Sequence, residues 1–306
     1  MTIRPLDASK VLMLAVAMIF IAEQVRSGEI MRDLVIGDRS RGEHLTYSVY
    51  VPDLADDRGM RLPVLYLLHG YGASSREWID GLDVAQPLDA MIADGEIAPL
   101  LVVMPDAGKS WYVDSAAFDG PGDMETTIVS TLVDAVDRRF PTDARAERRA
   151  IAGLSMGGFG ALRLGFKFPE CFCTVVGLSA GLFKPGGVSW QHGPGGRRWQ
   201  ARKQWYTASF GSPFNLGVYN QRNPFTYVDN LAHRTGPMHI LLIAGDDDAM
   251  GAYDGTVEMF IELRKRGLKP ELRISDGGHD HAFWKSKLSD VFRFVDRSWD
   301  SRDDPS

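Results

Sequence analysis

The chain has 306 residues, 44% of them hydrophobic and 24% charged, which is enough for one large α/β domain with a well-buried core. A formal net charge of -6 and a pI near 5.7 argue against a general phosphate-binding surface, so no nucleic-acid partner is expected. The only cysteines, Cys171 and Cys173, sit too close in sequence to staple distant segments, which excludes a disulfide framework.

Residues 1–28 read as an export signal: Arg4 and Lys10 precede the apolar run Val11 to Ala22, which is too short to cross a bilayer comfortably as a helix. Phe20 spoils the small-x-small pattern for a cut after Ala22, so an uncleaved anchor or a wrongly assigned start are the alternatives. The expected location is secreted or periplasmic, with cytoplasmic or membrane-anchored as the alternative. Any membrane association would run only through this segment. A catalytic domain over residues 29–298 and a tail at 299–306 complete the expected organisation.

From Gly28 onward β-like and helix-like segments alternate, the pattern of a mostly parallel sheet with helices on both faces. Leu45 to Val51 alternates like a half-exposed strand near an edge, whereas Val64 to Leu68 and Leu100 to Met104 are continuous apolar runs, as in strands buried on both faces. Met124 to Phe140 reads as an amphipathic helix stopped by Pro141. A strand then leads into Ser155, and Cys173 to Ala180 forms the next, with the two cysteines as small hydrophobes at its start. Between Gly181 and Gly236 the rhythm fails in a stretch rich in Gly, Pro and aromatics, which reads as an irregular lid or pocket wall. Arg197, Arg198, Arg202 and Lys203 within it read as solvated surface. Further strands are expected at 238–244 and 271–275, and helices at 252–266 and 283–297.

The chemistry centres on Gly153-Leu-Ser-Met-Gly157, a G-x-S-x-G placed where a strand must turn abruptly into a helix. Such a turn holds the Ser155 hydroxyl at the sheet edge and aims the Met156 N–H, with the helix dipole, at a developing oxyanion. Serine needs a histidine to take its proton and a carboxylate to orient that histidine. Asp246-Asp-Asp248 and Gly277-Gly-His279 follow at the C-terminal ends of predicted strands, in the order this chemistry expects. Any of the three aspartates fits. His281 beside that triplet also allows a metal-site reading, which leaves the serine turn without a role. The loop Leu68-His-Gly-Tyr-Gly72 offers the Tyr71 N–H as a second oxyanion donor, with His69 structural beneath it.

Together, His69-Gly-Tyr-Gly72, Gly153 to Gly158, Gly245 to Asp248 and Gly277 to Trp284 resemble the esterase D-type "putative esterase" family of α/β hydrolases. That family includes feruloyl and acetyl-xylan esterases, S-formylglutathione hydrolases, tributyrin-type esterases and mycolyltransferases. The resemblance implies an α/β-hydrolase fold, Ser155 as nucleophile, His279 as base and Asp248 as acid. The reaction it implies is hydrolysis of a small or sugar-linked ester through an acyl-enzyme, with no cofactor or metal. Acyl transfer and formylglutathione-type thioester hydrolysis are the alternatives, and a non-catalytic binding protein that retains the fold is a third. By the same resemblance Trp78, Asp106, Trp111, Tyr112 and Trp284 are candidate pocket residues, with Glu77 beside Trp78. The insertion at 181–236 departs from the family pattern.

Overall fold

Eight segments rich in Val, Ile, Leu and Tyr extend into strands: β1 (Glu29–Asp38), β2 (Glu43–Val51), β3 (Val64–Leu68), β4 (Leu101–Pro105), β5 (Arg149–Leu154), β6 (Thr174–Leu178), β7 (His239–Gly245) and β8 (Glu271–Ser275). They join in one sheet ordered β1-β2-β4-β3-β5-β6-β7-β8, with β1, β2 and β4 paired antiparallel and the rest parallel. This computed structural model describes residues 27–38, 43–53, 59–118, 120–193, 196, 199–234 and 236–300. Of the export segment only Ser27 and Gly28 are described, and of the tail only Trp299 and Asp300.

Side chains alternate across the sheet and feed two cores. On β3, Val64, Tyr66 and Leu68 enter one and Leu65 and Leu67 the other. The second core is covered by α1 (Ala85–Ala93) and, at the end of the chain, by the His281–Asp300 helix. The first is covered by the helical run α2 (residues 124–139), by α3 (Met156–Lys167), and by α6 (Ala252–Lys265), numbered after the two helices of the insertion. Burial on both faces is why β3, β4 and β5 are almost wholly apolar, the exception being Arg149 at the start of β5, which pairs with Asp137 at 2.9 Å.

The insertion is more helical than its sequence rhythm suggests. It contains α4 (Gln204–Phe210) and α5 (Leu216–Arg222), with short helical turns at Val188–Gln191, Trp199–Arg202 and Pro224–His233; the C-terminal His281–Asp300 helix is then α7. Asn215 caps α5 through the Val218 N–H, and Asn223 caps the next turn through the Phe225 N–H. Phe183, Trp199, Tyr206, Phe210 and Tyr219 join the first core, so the insertion has no separate core of its own. Its neck is stitched by the buried Asn223 amide, which donates to the Phe183 carbonyl at 2.9 Å.

Arg202, expected at a solvated surface, is instead buried and donates to the Met250 carbonyl at 2.9 Å, while Arg197 and Arg198 lie outside the described residues. Three further differences from the sequence reading stand out. β2 is flanked by β1, which the broken alternation of residues 29–38 conceals: a register shift between Met31 and Leu34, with Asp33 at a φ of 54°, flips the pattern midway. The helical turn Glu77–Gly81 and α1 are also additional elements. Cys173 is buried as expected, but Cys171 is only half-buried.

Candidate active site

The turn from β5 into α3 places Ser155 at a φ of 53°, a conformation side chains adopt rarely and here held from several sides. The Ser155 N–H donates to the Leu178 carbonyl at 2.9 Å, and its own carbonyl accepts from the Gly181 N–H at 3.0 Å. Glycine is required beside it: a Cβ on Gly157 would run into the Leu68 carbonyl, and one on Gly153 into the Gly157 backbone. The strand end thus presses directly against the helix start.

Two other strand ends deliver the partners. His279 Nε2 lies 2.9 Å from Ser155 Oγ, and His279 Nδ1 lies 2.7 Å from Asp248 Oδ2. The Asp248 side chain is fully buried and that of His279 is 17% exposed, so this chain of contacts is shielded from solvent screening. Asp248 Oδ1 accepts the Met250 N–H at 2.9 Å, which fixes the carboxylate plane. Of the aspartate triplet only Asp248 reaches the imidazole. Asp246 and Asp247 are exposed and gather with Asp276, their carboxylates within 4.8 Å of one another, while His281 turns to Glu77 instead. The two histidines and the three aspartates therefore do not gather into one set of ligands: His279 meets Asp248 alone, and His281 meets none of the triplet.

The N–H groups of Met156, at the first position of α3, and of Tyr71, in the loop after β3, donate to no other described group. Beside Ser155 opens a cleft of about 280 Å³, walled by Tyr71, Trp111, Phe183, Trp205, Tyr206 and Trp284. Trp111 stacks on Tyr206 with ring centres 4.4 Å apart and donates its indole N–H to the Trp205 carbonyl at 2.8 Å. Trp284 meets His279 edge-on at 5.1 Å.

Comparison with known proteins gives this arrangement its context. Residues 39–295 match the model of the family described as "Putative esterase". The chain belongs to this esterase family. It is 26% identical over 239 residues to an acetyl esterase of Caldicellulosiruptor saccharolyticus, covering 77% of this chain and 84% of that protein. It is 30% identical over 168 residues to an endo-1,4-beta-xylanase/feruloyl esterase of Xylanibacter ruminicola, covering 53% of this chain but only 23% of that longer protein. The solved structure of a ferulic acid esterase superposes with a TM-score of 0.71 at 25% identity, covering 90% of this chain and 99% of that one. The fold is that of an α/β hydrolase, and the chain is a carboxylic ester hydrolase.

In this esterase the expected pocket residues divide. Trp111 and Trp284 line the cleft, but Trp78, Asp106 and Tyr112 do not. Successive residues of a helical turn point in different directions, so with Glu77 facing the cleft Trp78 is carried into the second core, where it is 1% exposed. Asp106 accepts the Ser75 N–H and so shapes the loop after β3. Trp111 and Tyr112 have successive φ values of 53° and 55°, which turn the first toward the cleft and the second inward. The buried Tyr112 hydroxyl donates to the His69 carbonyl at 3.0 Å, bracing the Tyr71 loop from below. Glu77, named beside Trp78, does line the cleft, whereas Phe183, Trp205, Tyr206 and Met250 line it without having been among the candidate pocket residues. The aromatic crowding of the insertion and the position of Met250 two residues past Asp248 were the available signals.

His69 is structural, as its place in the loop suggested. Its Nε2 accepts the Ala107 N–H at 2.8 Å, so Nδ1 carries the proton and donates to the Gly70 carbonyl at 2.7 Å. Burial lowers its pKa below the ordinary 6.5, keeping the ring neutral. The unfolded chain binds a proton in the window between the two pKa values and the folded chain does not. This group's contribution to stability is therefore full above pH 6.5 and is lost as pH falls toward the folded value. Urea unfolding of wild type and His69→Asn at about pH 7.5 and about pH 5.5 should show the gap between them narrowing at the lower pH. A constant gap would contradict this account.

Proposed function

We propose that Ser155 is the nucleophile of a serine esterase, with His279 as general base and Asp248 as the group that orients it. The observation that carries this is the continuous path from the Asp248 carboxylate through both ring nitrogens of His279 to Ser155 Oγ. With Nδ1–H held by Asp248, His279 Nε2 is free to take the serine proton as Oγ attacks the acyl carbon. The Tyr71 and Met156 N–H groups stabilise the tetrahedral oxyanion. The imidazolium then protonates the departing alcohol, and water repeats the attack on the acyl-enzyme. A fluorophosphonate probe should label wild type at Ser155, located by mass spectrometry of the modified peptide; an unlabelled Ser155 in active enzyme would refute the assignment.

The substrate we favour carries a flat, apolar acyl group on a small or sugar-linked alcohol. The six aromatic walls match a planar acyl chain, and the acetyl and feruloyl esterases among the relatives bracket the size range. On this reading methyl hydroxycinnamates exceed methyl acetate in kcat/KM by about tenfold or more; equal or reversed values would remove the acyl preference. Running the reaction with glycerol or a sugar as acceptor separates hydrolysis from transfer: free acid should dominate, and an excess of acylated acceptor would make the chain a transferase.

We also propose export, on the strength of Arg4 and Lys10 ahead of the apolar run Val11 to Ala22. Recovery of the unprocessed chain from the soluble cytoplasm would overturn it.

A further inference from the structure

The cleft contains a carboxylate that the chemistry above leaves unused. Glu77 begins the helical turn Glu77–Gly81, its side chain only 11% exposed. Its Oε2 accepts the Gly70 N–H at 2.6 Å, and its Oε1 lies 3.1 Å from His281 Nε2. Gly70 immediately precedes Tyr71. His281 begins α7, two residues past His279, and packs with its ring 5.6 Å from Trp284, the same indole that meets His279. Glu77 thus ties the loop bearing the Tyr71 amide to the segment bearing the general base.

The residue types fit this task. A carboxylate accepts on both oxygens at once, and a bond from a backbone N–H to an ionised group is stronger and shorter than a neutral one. Gly70 is what allows the approach: a Cβ there would lie 3.2 Å from Glu77 Oε2 and 3.0 Å from Leu154 Cδ1. A second base acting on Ser155 is the competing role, but both Glu77 oxygens are engaged and Ser155 Oγ is already served by His279.

We propose that Glu77 is a positioning residue that sets the Tyr71 amide for the oxyanion by holding Gly70, with His281 as its second anchor. This rests on the reading of Ser155 as nucleophile and of the Tyr71 N–H as oxyanion donor. The orientation of one amide matters most when charge develops in the transition state, so the effect falls on kcat rather than on ground-state binding.

The test compares wild type, Glu77→Ala, Glu77→Gln and His281→Ala for kcat and KM on p-nitrophenyl acetate and for inhibition by phenylboronic acid, whose tetrahedral adduct uses the same donors. Glu77→Ala should lower kcat by about 10- to 100-fold, less than deleting an oxyanion donor outright, with KM within about twofold and boronate affinity falling in step. Glu77→Gln keeps an oxygen for the Gly70 N–H and should fall between alanine and wild type, and His281→Ala should lose less than Glu77→Ala. If the alanine variant does not fold, the isosteric glutamine decides: a drop in both kcat and boronate affinity supports the proposal, and either one unchanged overturns it. A raised KM at unchanged kcat overturns it too, since Glu77 would then be a substrate contact. Fluorophosphonate labelling of wild type tests the underlying reading separately. With Ser155 labelled and Glu77→Ala as fast as wild type, only the role of Glu77 is lost; with Ser155 unlabelled, the nucleophile assignment fails first.

Discussion

Ser155→Ala should reduce kcat on p-nitrophenyl acetate by about 10⁴- to 10⁶-fold while leaving the fold intact. The hydroxyl supplies the only covalent path in the proposed scheme. Removing it leaves the cleft and the two amide donors, and these alone retain a small residual acceleration over water. The stability cost is expected to be slight, because the backbone bonds of Ser155 to Leu178 and Gly181 do not involve the side chain and alanine tolerates the turn about as poorly as serine does. Matching thermal unfolding curves alongside the kinetics separate loss of chemistry from loss of fold. A variant retaining a tenth of wild-type turnover would remove Ser155 from the mechanism.

Asp248→Asn should cost about 10⁴-fold in kcat, through the tautomer of His279 rather than through geometry. In wild type the carboxylate accepts from two donors, the Met250 N–H on Oδ1 and the His279 Nδ1–H on Oδ2. Asparagine has a single oxygen. The Met250 amide can only donate and claims that oxygen, which leaves the carboxamide NH₂ facing Nδ1. His279 then accepts at Nδ1 and carries its proton on Nε2, where it points at Ser155 Oγ and can no longer receive the serine proton. The full burial of the Asp248 side chain offers no solvent route around this conflict. A drop smaller than about tenfold would show that Asp248 does not control the imidazole.

These two expectations concern residues that could be read from sequence because each is tied to a strand end. Gly153 to Gly157, Gly245 to Asp248 and Gly277 to His279 all end parallel strands, and the sheet brings such ends to one edge whatever lies between them. The choice of Asp248 within the triplet came from family resemblance, and geometry alone separates it from its exposed neighbours. Pocket residues were less legible because side-chain direction depends on local backbone. Trp78 faces inward because Glu77 faces outward, and Tyr112 is buried by two successive left-handed residues that no composition rule anticipates. The insertion looked irregular because its helices are short and its glycines and aromatics obscure the period, although Asn215 and Asn223 were cap signals in plain sight.

The neck of that insertion has a practical corollary. Since Phe183 and Asn223 are clasped at the base, the entropy of joining those ends depends only weakly on how many residues run between them, about 0.6 kcal/mol for each doubling. The limit on exchange is set instead by packing: a replacement segment has to supply the side chains that Trp199, Tyr206, Phe210 and Tyr219 lend to the first core. A chimera cut outside the clasp should import a donor's share of the aromatic wall, whereas one cut inside it loses the Asn223–Phe183 bond that closes the neck.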